Sequence, residues 1–201
     1  MDTIVGLGRA GCAIADKFSS YPQYKVFKID SEGIEKKSKN CYLLPRHENP
    51  EKYEKSVRSM KTFFKSATQD VLFVLSGSGL VSGAALQILK SLQGRNINIL
   101  YVKPDLEFLG HINVLQERTV RNVLQEYTRS GIFERMFLID NIKVEEVIGE
   151  VPIVGYYNKL NELIVSTIHM INVYNHQEPI HATPFDTGET TRISTFGILN
   201  I

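Results

Sequence analysis

The sequence predicts a doubly wound α/β domain, in which helices cover both faces of a parallel β-sheet. Short apolar runs typical of buried strands lie at residues 2–6, 24–29, 71–75, 97–102 and 135–139, with a weaker signal around 41–44. Segments of helical length separate most of these runs, at residues 9–19, 50–65, 82–93 and 111–129. Because strand and helix alternate, the sheet is expected to be parallel and to bind a ligand at the carboxyl ends of its strands.

Two helices with apolar faces complete the predicted core. The helix at 111–129 is expected to bury one face, made of Ile112, Leu115, Val120, Val123, Leu124 and Tyr127. A longer helix, from about Tyr156 to Tyr174, has apolar residues at helical spacing, namely Tyr156, Leu160, Leu163, Ile164, Ile168 and Ile171. We expect this longer helix to be largely buried.

The chain changes character after the long helix. Residues 176–191 are polar and contain proline, whereas residues 192–201 form an apolar run that predicts a final strand. We therefore expect a ligand-binding domain over residues 1–175, followed at 176–201 by a loop and a strand that begin a second, truncated domain.

The charge balance excludes a general attraction to polyanions. The 201 residues contain 23 Lys and Arg against 22 Asp and Glu, so the net charge is +1, and neither nucleic acid nor an anionic membrane is an expected partner. Residues 71–89 carry no charge, but their glycines and serines indicate a strand, a turn and a helix rather than a membrane span. Two cysteines without metal-ligand spacing and an N-terminus without signal-peptide features favour the cytoplasm.

The first glycine-rich motif is GLGRAG, Gly6 to Gly11, which follows the first strand and opens a helix. Glycines at this point let backbone N–H groups approach a phosphate at the positive end of the helix dipole. Asp30 ends the second strand about twenty residues later, which also fits an NAD-binding fingerprint. A third interpretation is that these glycines only allow the strand and the helix to pack closely.

The second motif is SGSGLVSG, Ser76 to Gly83, again between a buried strand and a helix. Two phosphate-binding turns, or cradles, at neighbouring strand ends could contact a chain of phosphates from both sides. Ser78 and Ser82 would add hydroxyl donors. A Gly and Ser turn without a ligand is the alternative.

These two loops resemble those of the tubulin and FtsZ superfamily, and the resemblance covers nearly the whole chain. GLGRAG is similar to the family's first phosphate loop, and GSGLVSGAA stands where bacterial members carry GGGTGTGAA. Leu80 and Val81 replace a threonine and a glycine of that signature, which removes one hydroxyl and one permissive backbone position. The resemblance implies nucleotide contacts for Gly8, Arg9, Ala10, Gly11, Cys12, Ser76, Gly77, Ser78, Gly79, Ser82 and Gly83.

Further segments resemble the family in the same order along the chain. ENPEKYEKS, with Asn49, resembles the loop that faces the terminal phosphate and its Mg²⁺, and IDSEG implies that Asp30 lies near the phosphates or their metal. YVKPDLEFLG resembles the loop beside the ribose, which implies roles for Pro104 and Glu107. The alternative for the charged loop residues is simple solvation.

The long helix resembles the family's base-reading helix. In YYNKLNELI, Tyr157 falls at the aromatic residue that stacks on the base, and Asn161 lies one turn later on the same face. An amide can accept from guanine N1–H and N2–H and donate to O6, whereas adenine presents the opposite polarity. A core aromatic and a surface amide are the alternatives.

DTGE, Asp186 to Glu189, is a carboxylate pair that resembles the family's loop inserted into the neighbouring subunit's nucleotide site. The resemblance implies that Asp186 and Glu189 are catalytic, polarising water near the terminal phosphate. The family's asparagine ahead of the pair is missing, with His181 and Thr183 nearby, so an ordinary polar turn is the alternative.

The sequence is therefore interpreted as a divergent member of this superfamily, with a phage-encoded type as one option and the host cytoplasm as its location in that case. The leading hypothesis is a protein that binds GTP or GDP with Mg²⁺, hydrolyses GTP, and assembles with itself into a homo-oligomer or filament. The second is a structural protein of this fold that binds nucleotide without turnover or has lost binding. The third is an NAD-dependent oxidoreductase, which would leave the second loop, Asn49, Tyr157 and Asn161 without a role.

Overall fold

The computed structural model describes residues 1–34, 38–149, 152, 154–177 and 191–196. Within these residues, the strands are β1 (Thr3–Leu7), β2 (Lys25–Asp30), β3 (Cys41–Leu43), β4 (Asp70–Leu75), β5 (Asn96–Lys103), β6 (Arg135–Asp140) and β7 (Ile193–Ser194). The α-helices are α1 (Gly8–Phe18), α2 (Pro50–Ser56), α3 (Ala85–Ser91), α4 (His111–Arg129), α5 (Asn141–Ile148) and α6 (Tyr156–His176). Short 3₁₀ helices cover Phe63–Ser66 and Leu80–Ala84.

The seven described strands form one sheet in the order β3-β2-β1-β4-β5-β6-β7. All six neighbouring pairs are parallel. Separate apolar clusters cover the two faces, one with residues of α2, α3 and α4 and the other with residues of α1, α5 and α6. The predicted doubly wound α/β fold is confirmed.

The predicted helix at 50–65 is wrong in its extent. Helix α2 ends at Ser56, because Val57 is already extended, and a separate 3₁₀ helix carries Phe63 and Phe64. Both phenylalanine rings pack against Phe27 of β2, with ring centroids 5.3 and 5.6 Å away. Tertiary packing of two successive aromatic residues against the sheet thus overrides the helical periodicity.

The predicted buried face of α4 is only partly correct: Leu124 is buried and Val120 packs against the core, but other predicted members are exposed. Ile112 is 70% exposed and Leu115 and Tyr127 are exposed as well, whereas Glu117, Leu124 and Thr128 are buried. The helix is turned so that the Glu117 carboxylate meets the hydroxyl of Tyr101 in β5 and the guanidinium of Arg121. Polar pairing beneath the helix therefore decides which face is inside.

The long helix α6 lies across the sheet with one face buried. Leu160, Ile164 and Ile168 are buried as predicted, but Met170 and Tyr174 are exposed, so the helix is not buried all round. Its last turns are held at the amino end of the sheet, because the Asn172 amide accepts from the Met1 ammonium at 2.6 Å and donates to the Met1 carbonyl.

The predicted final strand is a two-residue strand at the sheet edge. Ile193 and Ser194 of β7 pair with Met136 and Phe137 of β6, so this strand continues the same sheet. Residues 197–201 of the predicted strand lie outside the described residues. The domain boundary after residue 175 stays a prediction.

The close approach of α1 to the sheet can be tested by its effect on the free energy of unfolding. A Cβ atom at Gly11 would lie 2.4 Å from the carbonyl oxygen of Val74, a backbone atom of β4 that no side-chain rotation can move. Gly11→Ala should therefore lower the free energy of unfolding by about 1–3 kcal/mol, as overpacking of a core does. Urea denaturation followed by circular dichroism measures the change.

Gly79→Ala is the matched control for this substitution. A Cβ at Gly79 would meet no atom within 4 Å, and its backbone, with φ −79° and ψ 147°, suits any residue. Its free energy of unfolding should change by less than about 0.5 kcal/mol. A Gly11→Ala protein as stable as Gly79→Ala would contradict the close approach.

Candidate functional site

The two glycine-rich turns lie side by side at the carboxyl edge of the sheet. Strands β1 and β4 are neighbours, with Leu7 opposite Leu75, so the turns that follow them start from adjacent points. Gly8 has a φ of +71°, a conformation that favours glycine. Cβ atoms built at Gly8 and Gly79 would meet no atom within 4 Å. The outer side of both turns is therefore open to a ligand.

The four other glycines of the two motifs, Gly6, Gly11, Gly77 and Gly83, are explained by packing within the protein. Gly11 approaches Val74, as described above. A Cβ at Gly77 would lie 2.1 Å from the Tyr101 hydroxyl, and one at Gly83 would lie 2.3 Å from the carbonyl oxygen of Pro50. The packing alternative therefore accounts for the absence of side chains at these positions, and Gly8 and Gly79 are the motif glycines that the fold leaves open.

The Ser82 hydroxyl is turned into the second turn. It lies 2.7 Å from the Gly77 carbonyl and 2.6 Å from the Gly79 carbonyl, and it accepts from the Gln116 amide at 3.2 Å. A hydroxyl has one proton to donate, and here that proton braces the turn. Donation from Ser82 to a phosphate, as the sequence predicted, would require this arrangement to break. Ser76 and Ser78, half-buried, make no side-chain hydrogen bond to the described residues.

Leu80 and Val81 anchor the same turn from below. Val81 is buried and Leu80 packs against the apolar cluster under α2, α3 and α4. They occupy the start of the 3₁₀ helix, so its first residues bring apolar side chains to the core. The departure from the family signature thus has a packing role in this chain.

Cys12 can contribute to the first loop only through its backbone. Its side chain is buried, and the thiol lies 3.4 Å from the Gly6 carbonyl and 3.5 Å from that of Ile29. Burial, reinforced by the negative charge of Asp30, raises the pKa of this thiol to about 12. Arg9 and Ala10, by contrast, are exposed at the start of α1.

Asp30 is 5% exposed and supports the turn after β2. One carboxylate oxygen accepts from the Ser31 backbone N–H at 2.7 Å. Burial, followed by the nearby charge of Glu32, raises the pKa of Asp30, while the Ser31 hydrogen bond and Arg9 act in the opposite direction. This inward position suits a residue that orders a loop next to the first glycine turn.

Asn49 and the start of α2 pack against the second turn. The Asn49 amide oxygen caps α2 by accepting from the Lys52 backbone N–H at 2.9 Å. Pro50 follows at the first helical position and touches Gly83. The predicted terminal-phosphate loop is therefore next to the second glycine turn, although the Asn49 oxygen is used in the cap.

The loop after β5 and the start of α6 come together at the same edge. Pro104 is half-buried and Glu107 is exposed. Burial raises the pKa of Tyr156 to about 12, with contributions from the carboxylates of Glu145 and Asp105. The first turn of α6 therefore lies beside the loop that carries Pro104 and Glu107.

Tyr157 and Asn161 are available at the start of α6. Tyr157 is 71% exposed and Asn161 is half-buried, and they lie four residues apart on one face. The core alternative for Tyr157 is therefore wrong. The predicted catalytic residues Asp186 and Glu189, with His181 and Thr183, lie outside the described residues.

A buried carboxylate beneath the second turn was not predicted from the sequence. Glu117 is fully buried, and one oxygen accepts from the Tyr101 hydroxyl at 3.2 Å and from Arg121 Nε at 2.8 Å. Its other oxygen has no partner among the described residues. Burial and the adjacent Glu117 charge raise the pKa of Tyr101. The sequence carries no local signal for this, since a single Glu in a helix is ordinarily solvated.

The ion pairs of Glu32 with Arg46 and Arg9 were likewise not predicted from the sequence. Arg46 lies between β3 and α2, and its guanidinium bonds the Glu32 carboxylate at 2.7 Å, while Arg9 bonds the other oxygen of the same carboxylate at 3.2 Å. No motif contains Arg46, so only the fold could bring it to the first glycine turn.

Together, these features define a parallel α/β domain with two glycine turns at the carboxyl edge of its central strands. Solved structures identify the fold more closely. An FtsZ dimer from M. jannaschii matches with a TM-score of 0.67 and 16% identity, over 91% of this chain and 57% of that one. CetZ2 from Haloferax volcanii, solved as a GTPγS-bound protofilament, matches with a TM-score of 0.62 and 17% identity, over 85% of this chain and 58% of that one.

CetZ1 from Haloferax volcanii, a GDP-bound monomer, matches with a TM-score of 0.62 and 19% identity, over 83% of this chain and 58% of that one. The chain thus has the fold of the tubulin and FtsZ superfamily. It spans less than two thirds of the length of these structures. No protein-family model and no curated sequence matches it.

Two features are absent from the residues that the structure describes. None of their helices combines the length and hydropathy needed to span a membrane. They also contain no group of three or more His, Cys, Asp or Glu side chains arranged to hold a metal ion.

The environment of Cys12 predicts that its thiol reacts only slowly with thiol reagents in the folded protein. In a Cys41→Ser variant, which leaves Cys12 as the remaining cysteine, a thiol reagent should label slowly from pH 7 to 9. With a pKa of about 12, the thiolate fraction at pH 9 is only about one in a thousand. Unfolding in urea should restore rapid labelling, and rapid labelling of the folded chain would show that Cys12 is not buried behind the first turn.

Proposed function

We propose that this protein binds a guanine nucleotide at the carboxyl edge of its sheet, hydrolyses GTP and assembles with itself head to tail. The observation that carries the proposal is the adjacency of two glycine turns, after β1 and β4, whose outer sides are open at Gly8 and Gly79. Two cradles at neighbouring strand ends suit a chain of phosphates. A dinucleotide enzyme uses one such cradle.

The first cradle is electrostatically suited to an anion. The free backbone N–H groups at the start of α1 carry the positive end of the helix dipole. The exposed Arg9, which pairs with Glu32, is the second residue of the same helix. The second turn is held rigidly by Ser82, Gln116 and the packing of Gly77 on Tyr101. Phosphate contacts at this turn would therefore come from its backbone and from Ser78.

The base would bind at the start of α6. Tyr157 offers an exposed aromatic face, and Asn161 an amide that complements the guanine edge. Pro104 and Glu107, beside the same turn of α6, are proposed to contact the ribose. The bound nucleotides named for CetZ2 and CetZ1 are guanine nucleotides, GTPγS and GDP, in proteins of this fold.

Mg²⁺ is proposed to bind with the phosphates, since Mg²⁺ in nucleotide sites is commonly held by one or two protein groups together with phosphate oxygens and water. Asp30 and Glu51, the acidic residue in the first turn of α2, are proposed to provide oxygen ligands, because the Asn49 amide oxygen is used in the cap of α2. The ion would neutralise charge on the terminal phosphates. We further propose the cytoplasm as the location, with nucleotide and further copies of the chain as partners rather than nucleic acid.

A second candidate function is nucleotide binding without turnover. Leu80 and Val81 tie the second turn to the apolar core, and the Ser82 hydroxyl is engaged within it. Such a turn can cradle a phosphate yet adjust little during hydrolysis.

The proposal predicts guanine selectivity. GTP and GDP should bind more tightly than ATP, because adenine would leave buried amide groups of Asn161 unpaired at about 1–3 kcal/mol each. Asn161→Ala should lower GTP affinity by about tenfold or more. Isothermal titration calorimetry measures both effects, and NAD should give no binding.

Two variants serve as controls in this experiment. Asn158→Ala removes an amide of the same helix that bonds Glu162, and it should bind GTP as the wild type does. Gly79→Val should abolish binding while preserving stability, because its backbone suits a β-branched residue; Gly8, with φ +71°, would be strained by the same change. Equal affinity for ATP and GTP would refute the base assignment.

The proposal also predicts that hydrolysis is shared between subunits. Asp186 and Glu189 follow the helix that carries the base site, and the resembling loop of the family faces the next subunit. GTP turnover per subunit should rise with protein concentration, and Glu189→Ala or Asp186→Ala should remove turnover while leaving GTP affinity nearly unchanged. Phosphate release measured over a range of concentrations tests this.

A mixing experiment separates shared catalysis from catalysis within one subunit. The Gly79→Val chain lacks the nucleotide and the Glu189→Ala chain lacks the catalytic loop, so each should be inactive alone. In a head-to-tail contact, the first can donate its loop to the GTP bound by the second, and activity should return. A wild-type rate independent of concentration, without rescue on mixing, would place catalysis inside one subunit; no turnover under any condition would favour the second candidate function.

A further inference from the structure

A cluster of three charged side chains stands beside the first glycine turn. Glu32 receives one guanidinium on each carboxylate oxygen, Arg9 at 3.2 Å and Arg46 at 2.7 Å. The arginine side chains are 89% and 73% exposed. With two positive charges and one negative charge, the cluster keeps a net charge of +1 on the surface.

Stability of the fold does not explain this cluster. Exposed ion pairs contribute little to the free energy of unfolding, and both guanidinium groups are largely exposed to solvent. Each guanidinium has five N–H donors, and each uses one of them on Glu32 among the described residues. Most of the hydrogen-bonding capacity of the pair therefore remains available for an anion.

The direction of the sheet indicates which part of a nucleotide would meet this cluster. Tyr156, the residue before the proposed base residue Tyr157, is close to Asp105 in the loop after β5 and to Glu145 in the helix after β6. The glycine turns follow β1 and β4, and the cluster follows β2 and β3. A nucleotide with its base near β5 and its phosphates over β4 and β1 would point its last phosphate toward β2 and β3.

We propose that Arg46 and Arg9 bind the terminal phosphate of a nucleoside triphosphate, with Glu32 as the residue that holds their guanidinium groups in position. This inference rests on the proposed function and adds Arg46 to it as the residue that distinguishes triphosphate from diphosphate. Guanidinium groups match the geometry of phosphate oxygens and can bond them in pairs. A pair of them would compensate the charge that the third phosphate adds.

The test compares GTP and GDP affinity in matched variants by calorimetry. Arg46→Ala should lower GTP affinity by about tenfold or more, as expected for loss of hydrogen bonds to a charged group, and change GDP affinity by less than about twofold. Arg46→Lys should give an intermediate loss, because it keeps the charge and loses the paired donors. Arg129→Ala, which removes an exposed arginine paired with Glu126 at the far end of α4, should change neither affinity.

The outcomes separate this inference from the proposed function. A wild type that binds both nucleotides, with an Arg46→Ala variant that weakens GTP and GDP equally or neither, would overturn the role of Arg46 alone. A wild type that binds neither nucleotide would overturn the proposed function and the inference with it. Selective loss of GTP affinity, absent in Arg129→Ala, would establish Arg46 at the third phosphate.

Discussion

The close approach of the first helix to the two central strands is the constraint on which the carboxyl edge depends. A Cβ at Gly6 would lie 2.4 Å from the Gly11 carbonyl oxygen, and one at Gly11 would lie 2.4 Å from that of Val74. Helix α1 can therefore begin immediately at the end of β1, directly over β4. This contact brings the first turn beside the second. Both turns therefore expose their outer sides, at Gly8 and Gly79, along the same edge of the sheet.

The second turn is held by polar groups from beneath rather than by its own sequence alone. Gly77 rests on the Tyr101 hydroxyl, which bonds the buried Glu117, and Gln116 of the same helix reaches Ser82. A buried carboxylate is costly unless it is paired, so Glu117 with Tyr101 and Arg121 strongly specifies the orientation of α4. The rotation of that helix leaves Ile112 and Leu115 exposed.

The division of roles among the motif residues follows from burial. Some of the motif residues face open space at the carboxyl edge, namely Gly8, Gly79, Arg9 and Tyr157. Others pack inside the protein and shape that edge, namely Cys12, Ser82 and Gly83. A sequence motif reports both groups together, because a turn that binds phosphate also has to be built. Only atomic contacts separate a glycine required by a neighbouring carbonyl from one left open to a ligand.

The sequence by itself determined the fold class, since apolar runs of strand length alternating with helical segments allow few arrangements other than a covered parallel sheet. It also located both glycine turns, because φ requirements and close approach demand glycine locally. Tertiary structure alone decided the orientation of α4, the early end of α2 at Ser56 and the joining of β7 to β6. It also brought Arg46 to Glu32. These features depend on contacts between residues distant in sequence, such as Glu117 with Tyr101, which local periodicity cannot encode.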